Sequence, residues 1–273
     1  MNKKSDSISD EDLEKKWQNL PFSNDFIFCK VMEDPALCKE ALELLLGFEI
    51  SRIEYPLAQK PIKNAADTRG IRLDVYAKSD SRRFDLEMQT TSNGSLLKRA
   101  RYYAGCIDVD TLKPNEPFSK LSDVYIIFLC LEDPFDKGLP LYTYLTKCNE
   151  CPELPNDRTA RLLYNIEEYE KLDNLALKEF LKYIKTNIPN NDFTVRLSQK
   201  VEEAKQNAEY RKAYMTLEMR ETERFYEGKE QKAIEDALIL IKEYNASPEE
   251  AAKKMGAPLE KVLELKAQLE TTN

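Results

Sequence analysis

Two acidic residues draw attention through the patterns around them. Asp74 lies in Ile71-Arg72-Leu73-Asp74-Val75-Tyr76-Ala77-Lys78, and Glu87 in Phe84-Asp85-Leu86-Glu87-Met88-Gln89. Both segments alternate apolar and polar residues, the period of a strand with one face in a core. Ile71, Leu73, Val75 and Ala77 share one face of the first; Phe84, Leu86 and Met88 share one face of the second. Both apolar sets must face the core, so parity puts Asp74 and Glu87 on a common opposite face. If the connection turns between Asp80 and Ser81, Asp74 stands directly opposite Glu87, and Arg72 opposite Gln89. Opposed residues have Cβ atoms about 4.5–5.5 Å apart, and like charges so placed destabilise a sheet. A cation reverses that sign, and Mg²⁺ takes one or two carboxylates with water and phosphate oxygens completing its shell. The hairpin therefore reads as a cation-holding pair. The plainer reading is a solvated polar face on which Arg72, Lys78, Arg82 and Arg83 neutralise the acids. The poor fit of aspartate to mid-strand positions counts against it.

Composition closes other routes. The 273 residues include no histidine, which removes Ser-His-Asp and Cys-His nucleophilic systems and His-ligated zinc hydrolases. Carboxylates, lysine, tyrosine or a carboxylate-held metal remain. Most of the six cysteines sit in apolar patterns, where a free thiol acts as a small hydrophobe. Cys148 and Cys151 form one Cys-x-x-Cys without the second pair a structural zinc site needs. Reduced thiols, a polar start without an apolar signal region, and no apolar run near the roughly 20 residues of a membrane helix point to a cytoplasmic protein without a membrane partner. The net charge of −8 is unpromising for a polyanion binder. Yet Ala58 to Arg101 holds ten Lys/Arg against five Asp/Glu, so a local basic face is available for phosphates.

The elements that must position these residues follow from local signals. Residues 1–17 read as a disordered lead-in. Ser23 or Asn24 caps a helix from Asp25; Asp34-Pro35 starts another, which Gly47 ends. Ile50 to Tyr55 reads as a first strand and Pro56 to Gly70 as a polar connection. An amphipathic helix runs from Leu96 to about Asp110, burying Leu96, Ala100, Tyr103 and Ile107 and leaving Lys98, Arg101 and Tyr102 on one side. Asp123 to Leu131 is a nearly unbroken apolar run, as in a strand buried on both faces. Leu141 to Thr146 and Leu162 to Ile166 are later strands. Beyond about Leu172 the chain turns helical and charged, in keeping with exposed helices that pack weakly or associate as a homodimer. Ser247-Pro248-Glu249-Glu250 is a capping-box start. With Gly256 it forms either a helix-turn-helix or a plain helical hairpin; the acidic second helix favours the hairpin. The expected division is 18–190 for a main α/β domain, 191–245 for a charged extension and 246–273 for the small hairpin.

The set resembles the PD-(D/E)XK nucleases, in particular the nuclease-family transposases and recombination-promoting nucleases. The resemblance rests on Leu20-Pro21-Phe22 with Asp25-Phe26-Ile27-Phe28-Cys29-Lys30, on Arg72-Leu73-Asp74-Val75 with Asp85-Leu86-Glu87-Met88-Gln89, and on Lys98-Arg99-Ala100-Arg101-Tyr102-Tyr103. It spans roughly Leu20 to Leu145. It departs from the pattern at Glu116-Pro117-Phe118, where a Gly and a Tyr are usual, and Gln89 stands where the wider superfamily has a lysine. The resemblance implies a restriction-endonuclease-like mixed sheet flanked by helices, with a charged helical extension at the C-terminus. It implies a DNA endonuclease associated with recombination or mobile elements, using Mg²⁺, with Mn²⁺ as substitute, and no small-molecule cofactor. Asp74, Glu87 and the Met88 carbonyl would hold the metal, Gln89 would position water, and Asp25 would be the helix acid of the superfamily. Lys98, Arg99, Arg101 and Tyr102 would grip DNA, Arg99 being placed to meet either a phosphate or the acids. The competing reading is a weak or inactive relative that serves as a DNA-binding or protein-interaction module.

Overall fold

A computed structural model describes residues 9–62, 70–91 and 94–271. Its sheet has six strands, β1 (Glu54–Ile62), β2 (Ile71–Ser79), β3 (Arg82–Gln89), β4 (Asp123–Cys130), β5 (Leu141–Leu145) and β6 (Thr159–Asn165), in the order β1-β2-β3-β4-β6-β5. The first three form an antiparallel meander, β3, β4 and β6 run parallel, and β5 closes the far edge antiparallel to β6. This is the expected mixed α/β sheet. The apolar run of β4 is explained by its central place, with a parallel partner on each side and helices over the faces.

Helices α1 (Asp10–Gln18), α2 (Asp25–Met32) and α3 (Pro35–Leu46) precede the sheet, and α4 (Leu96–Thr111) joins β3 to β4. After β6 come α5 (Leu175–Thr186), α6 (Asp192–Gln206), α7 (Ala208–Tyr244), α8 (Pro248–Met255) and α9 (Leu259–Thr271). The caps are those read from sequence. Asn24 accepts the N–H groups of Phe26 and Ile27. Asp34 accepts those of Ala36 and Leu37 ahead of Pro35, and Gly47 ends α3 at φ 73°. The hairpin register also follows the sequence: Val75 faces Leu86, Tyr76 faces Asp85 and Ser79 faces Arg82, around a turn at Asp80-Ser81.

Two expectations need correction. The first strand is not Ile50 to Tyr55; β1 runs later and passes through Pro56 and Pro61. It is an edge strand, and proline's missing donor is tolerated where one side of the ladder has no partner. Of the polar connection expected over Pro56 to Gly70, residues 63–69 lie outside the described residues. The lead-in is helical from Asp10, because Leu13 and Trp17 are both buried. Trp17 donates its indole N–H to the Lys205 carbonyl at 3.0 Å and meets Phe26 edge-on at 5.9 Å. Residues 1–8 lie outside the described residues.

The chain gathers into two compact units, one of Lys16–Asn207 and one that combines the residues up to Lys15 with Ala208–Asn273. In the larger unit α6 continues the packing of α5 past residue 190, with Phe193 edge-on to Phe180 at 5.3 Å. In the smaller unit Ile234 and Ala237 of α7, Ala251 and Ala252 of α8 and Val262 of α9 make a small core. Ser247 caps α8 by accepting the Glu250 N–H, and Gly256 turns the chain at φ 69°. The exposed surface of α9 carries Leu259, Glu260, Lys261, Leu263 and Glu264, which is not a basic face. No described helix is long and apolar enough to cross a membrane.

Candidate active site

The β3 part of the hairpin's polar face is buried, while on β2 Asp74 is half-buried and Arg72 exposed. Helix α4 lies across the β3 part, and Leu96, Ala100, Ala104 and Ile107 join Tyr76, Ile126 and Phe128 in one buried cluster. Small residues at 100 and 104 let the helix approach closely. Asp85, Glu87 and Gln89 are consequently 0%, 3% and 9% exposed. The solvated-face reading therefore fails for β3, whose three alternating polar side chains point under a helix.

Asp74 and Glu87 sit opposite each other, one step beyond the Val75–Leu86 pair. There the side chains take over from the backbone ladder. Glu87 Oε1 accepts the Asp74 N–H at 2.9 Å, and Asp74 Oδ2 accepts the Met88 N–H at 3.2 Å. A residue's N–H and C=O leave a strand on the same edge, so the Met88 carbonyl is directed to the Asp74 side. Helix α2 is tied to this point by Cys29, whose thiol donates to the Asp74 carbonyl at 3.3 Å.

The electrostatics are those of crowded, enclosed acids. Burial, and then the charge of Asp74, push the Glu87 carboxyl up to about 8. Burial, and then the charge of Asp25, push Asp74 up to about 6. Asp25, at the first position of α2, is itself raised by burial and drawn back by Arg72 and Arg99. Asp85 lies deepest. Burial, followed by the Glu87 charge and a hydrogen bond to Glu87, holds its carboxyl well above the usual range. Gln89 is fixed at both ends of its amide, donating Nε2–H to the Thr91 carbonyl at 2.5 Å and accepting from Arg99 Nη2 at 2.6 Å.

These groups share a cleft of about 720 Å³. Asp25, Asp74, Glu87, Met88 and Gln89 line it together with Lys98, Arg99 and Tyr102. All the residues singled out from sequence therefore converge except Arg101, which is exposed on α4 outside the cleft lining. Three more belong here. Arg72 lines the cleft beside Asp25 and Asp74, and Tyr103 lines it above Glu87. Asp85 supports Glu87 from below. Arg72 was visible as the residue two before Asp74 on the same strand face, and Tyr103 as one turn beyond Arg99. Nothing in the sequence marked Asp85 as enclosed.

The donor chemistry fits a hard divalent cation. Two carboxylates and a main-chain carbonyl on one strand edge are oxygen ligands of the kind Mg²⁺ and Mn²⁺ favour. The carboxyls are held above their ordinary range mainly by burial and by a neighbouring carboxylate, Asp25 for Asp74 and Asp74 for Glu87, a penalty a cation would offset. No group of three or more Asp, Glu, Cys or His side chains stands at ligand spacing among the described residues, so water and phosphate oxygens would complete the shell. The Cys148–Cys151 pair lies elsewhere, its thiols turned separately to Glu150 and Glu153.

A family model described as PD-(D/E)XK nuclease family transposase matches residues 23–244. No curated protein and no solved structure matches the chain.

Proposed function

Because the chain belongs to the PD-(D/E)XK nuclease family transposases, we propose that it is a metal-dependent DNA endonuclease that hydrolyses phosphodiester bonds during recombination or mobile-element movement. The observation that carries this reading is the enclosed Asp74–Glu87 pair, with backbone hydrogen bonds crossing between the two strands, opening on a cleft edged by Arg72, Lys98 and Tyr102. Asp74, Glu87 and the Met88 carbonyl would hold Mg²⁺ or Mn²⁺. The cation supplies two things when bound: a lowered pKa for water and charge neutralisation at phosphate.

The remaining work falls to the chain itself. The Asp74 and Met88 N–H groups orient the two carboxylates, so their geometry is set before substrate arrives. Gln89, held at both ends, presents a fixed amide to water or a phosphate oxygen. Asp25 adds a third acid at the α2 end of the cleft. Helix α4 excludes solvent from beneath the acids and turns its outer side chains to the DNA backbone. The test is cleavage of supercoiled plasmid by the purified full chain with Mg²⁺, Mn²⁺, Ca²⁺ or EDTA. Nicking or linearisation with Mg²⁺ or Mn²⁺ and none with EDTA is expected. Absence of cutting of any DNA form with either metal overturns the reading and leaves a binding module on a nuclease fold.

Lys98 and Arg101 are both exposed one helical turn apart on α4. Reversing both (Lys98→Glu with Arg101→Glu) should weaken DNA binding at least ~10-fold in moderate salt. The slope of log K against log salt should fall by about two units, one per lost phosphate contact. Fluorescence anisotropy of a labelled duplex in EDTA across a salt series measures both. An unchanged slope would move the DNA-binding face off this helix.

A further inference from the structure

Gln89 leaves the strand position next to Glu87 without a charge, yet a cation stands directly on it. Arg99 of α4 donates Nη2–H to Gln89 Oε1 at 2.6 Å, and the same nitrogen lies 3.8 Å from Glu87 Oε2. The guanidinium is packed over the Phe128 ring at 4.6 Å and reaches the Tyr103 ring at 5.7 Å. Its Nε is buried with no hydrogen-bond partner. Arg99 also lines the cleft and keeps 26% of its side chain exposed. A buried donor without an acceptor is costly, and a planar fork of donors at the mouth of a cleft suits a phosphate.

We propose that Arg99 is the positively charged member of the centre, supplying from helix α4 the charge that faces the scissile phosphate and that Gln89 cannot provide. Gln89 is then its anchor: the amide, pinned by the Thr91 carbonyl, fixes where the guanidinium stands relative to Glu87. Phe128 and Tyr103 complete the seat by confining the guanidinium plane. The three neighbouring basic groups differ in placement. Lys98 and Arg101 are exposed along α4, and Arg72 faces Asp25 and Asp74 from β2. Arg99 alone among them touches both Glu87 and Gln89 in the contacts described. This inference rests on the nuclease reading above and refines it.

The charge has two measurable consequences, only one of which needs cleavage. A fixed cation beside Glu87 repels a divalent ion, so Arg99→Gln should bind Mn²⁺ about 3- to 10-fold more tightly by calorimetry on the full chain without DNA. The same variant should lose about 100-fold in kcat, the scale of removing one preorganised charge donor, with KM for plasmid changed less than threefold. Adding Gln89→Lys to Arg99→Gln returns the charge from the strand side. That double variant should recover at least tenfold in kcat and bring Mn²⁺ affinity back towards wild type. Circular dichroism and melting curves establish that each variant is folded. A purely structural Arg99 predicts the opposite pattern: Mn²⁺ binding unchanged or weaker in Arg99→Gln, and no recovery in the double variant. Either result overturns the proposal. If the wild type does not cut DNA, the nuclease reading fails by itself, while the calorimetric arm still decides whether Arg99 acts as a charge on the acids.

Discussion

Glu87→Gln is expected to cleave DNA at least ~10³-fold more slowly than wild type with Mg²⁺ or Mn²⁺ while binding it within about threefold. The substitution keeps the shape of the side chain. A glutamine Oε1 still accepts the Asp74 N–H, so the strand geometry at this point survives. What disappears is one of the two negative charges that would hold a cation. Asp74→Asn makes the equivalent change on the facing strand, and its amide oxygen can keep the bond from Met88. DNA binding should persist in both because the groups proposed to meet phosphate, Lys98, Arg101 and Arg72, are exposed and untouched. Neutralising an acid beside them also lowers the local repulsion of DNA, so binding in either variant tightens slightly if it changes. Rates from plasmid gels and affinities from anisotropy, on wild type and variants purified in parallel, test the split. Cleavage by Glu87→Gln at a rate near wild type would place the chemistry away from this pair.

The hairpin was legible because its information is local. Strict alternation set the faces, and the turn residues Asp80 and Ser81 set the register, so the Asp74–Glu87 juxtaposition follows from a few residues. Asn24, Asp34, Gly47 and Ser247 were equally readable, since each acts on N–H or C=O groups within a few residues of itself. The errors arose where a distant partner decides. Pro56 to Gly70 read as a polar connection, yet β1 runs through Pro56 and Pro61 because it lies on an edge. Residues 1–17 read as a disordered lead-in, yet Trp17 is held by Lys205 and Phe26, which no local pattern reveals.

The candidate site divides in the same way. Strand register paired Asp74 with Glu87, resemblance added Asp25, Gln89 and the α4 residues, and the fold brings all but Arg101 to one cleft. The depth of the acids was not readable. An Asp-x-Glu-x-Gln alternation is the ordinary signature of a wet strand face, and only the crossing of α4 turns it into a buried stack. Ala100 and Ala104, four apart and facing the sheet, are the trace of that crossing in the sequence. Arg99 shows how a position on the helix can be ambiguous: between the apolar and basic sides of α4, its role depends on what lies beneath.

The buried stack makes stability depend on pH in a direction opposite to that of paired surface carboxylates. Glu87 is raised from 4.5 to about 8 and Asp74 from 3.8 to about 6, so the folded protein binds protons that the unfolded chain has already lost. The resulting stabilisation is complete below about pH 4, where both states are protonated, and is lost as pH rises through 6 and then 8. Asp85, held well above its ordinary value by burial and the Glu87 charge, acts with the same sign, so stability should fall between pH 5 and pH 8. Asp133 and Glu43, lowered by their hydrogen bonds, act with the opposite sign but only near and below their ordinary range, outside this interval. In EDTA, then, the protein should melt highest near pH 5 and fall towards pH 8, and Glu87→Gln should flatten that slope. Mg²⁺ should reverse it. Binding to the deprotonated native pair adds RT ln(1 + [L]/Kd), about 2.7 kcal/mol at a hundredfold excess over Kd. The rise in melting temperature on adding Mg²⁺ should therefore be larger at pH 8 than at pH 5, where protons compete for the same oxygens. Asp74→Asn should remove both the Mg²⁺ response and part of the slope. Scanning calorimetry of the three proteins at pH 5, 6.5 and 8, with EDTA and with Mg²⁺, measures every term. A slope in Glu87→Gln equal to that of wild type would mean that other groups carry the pH dependence, and a retained Mg²⁺ response in Asp74→Asn would locate the cation elsewhere.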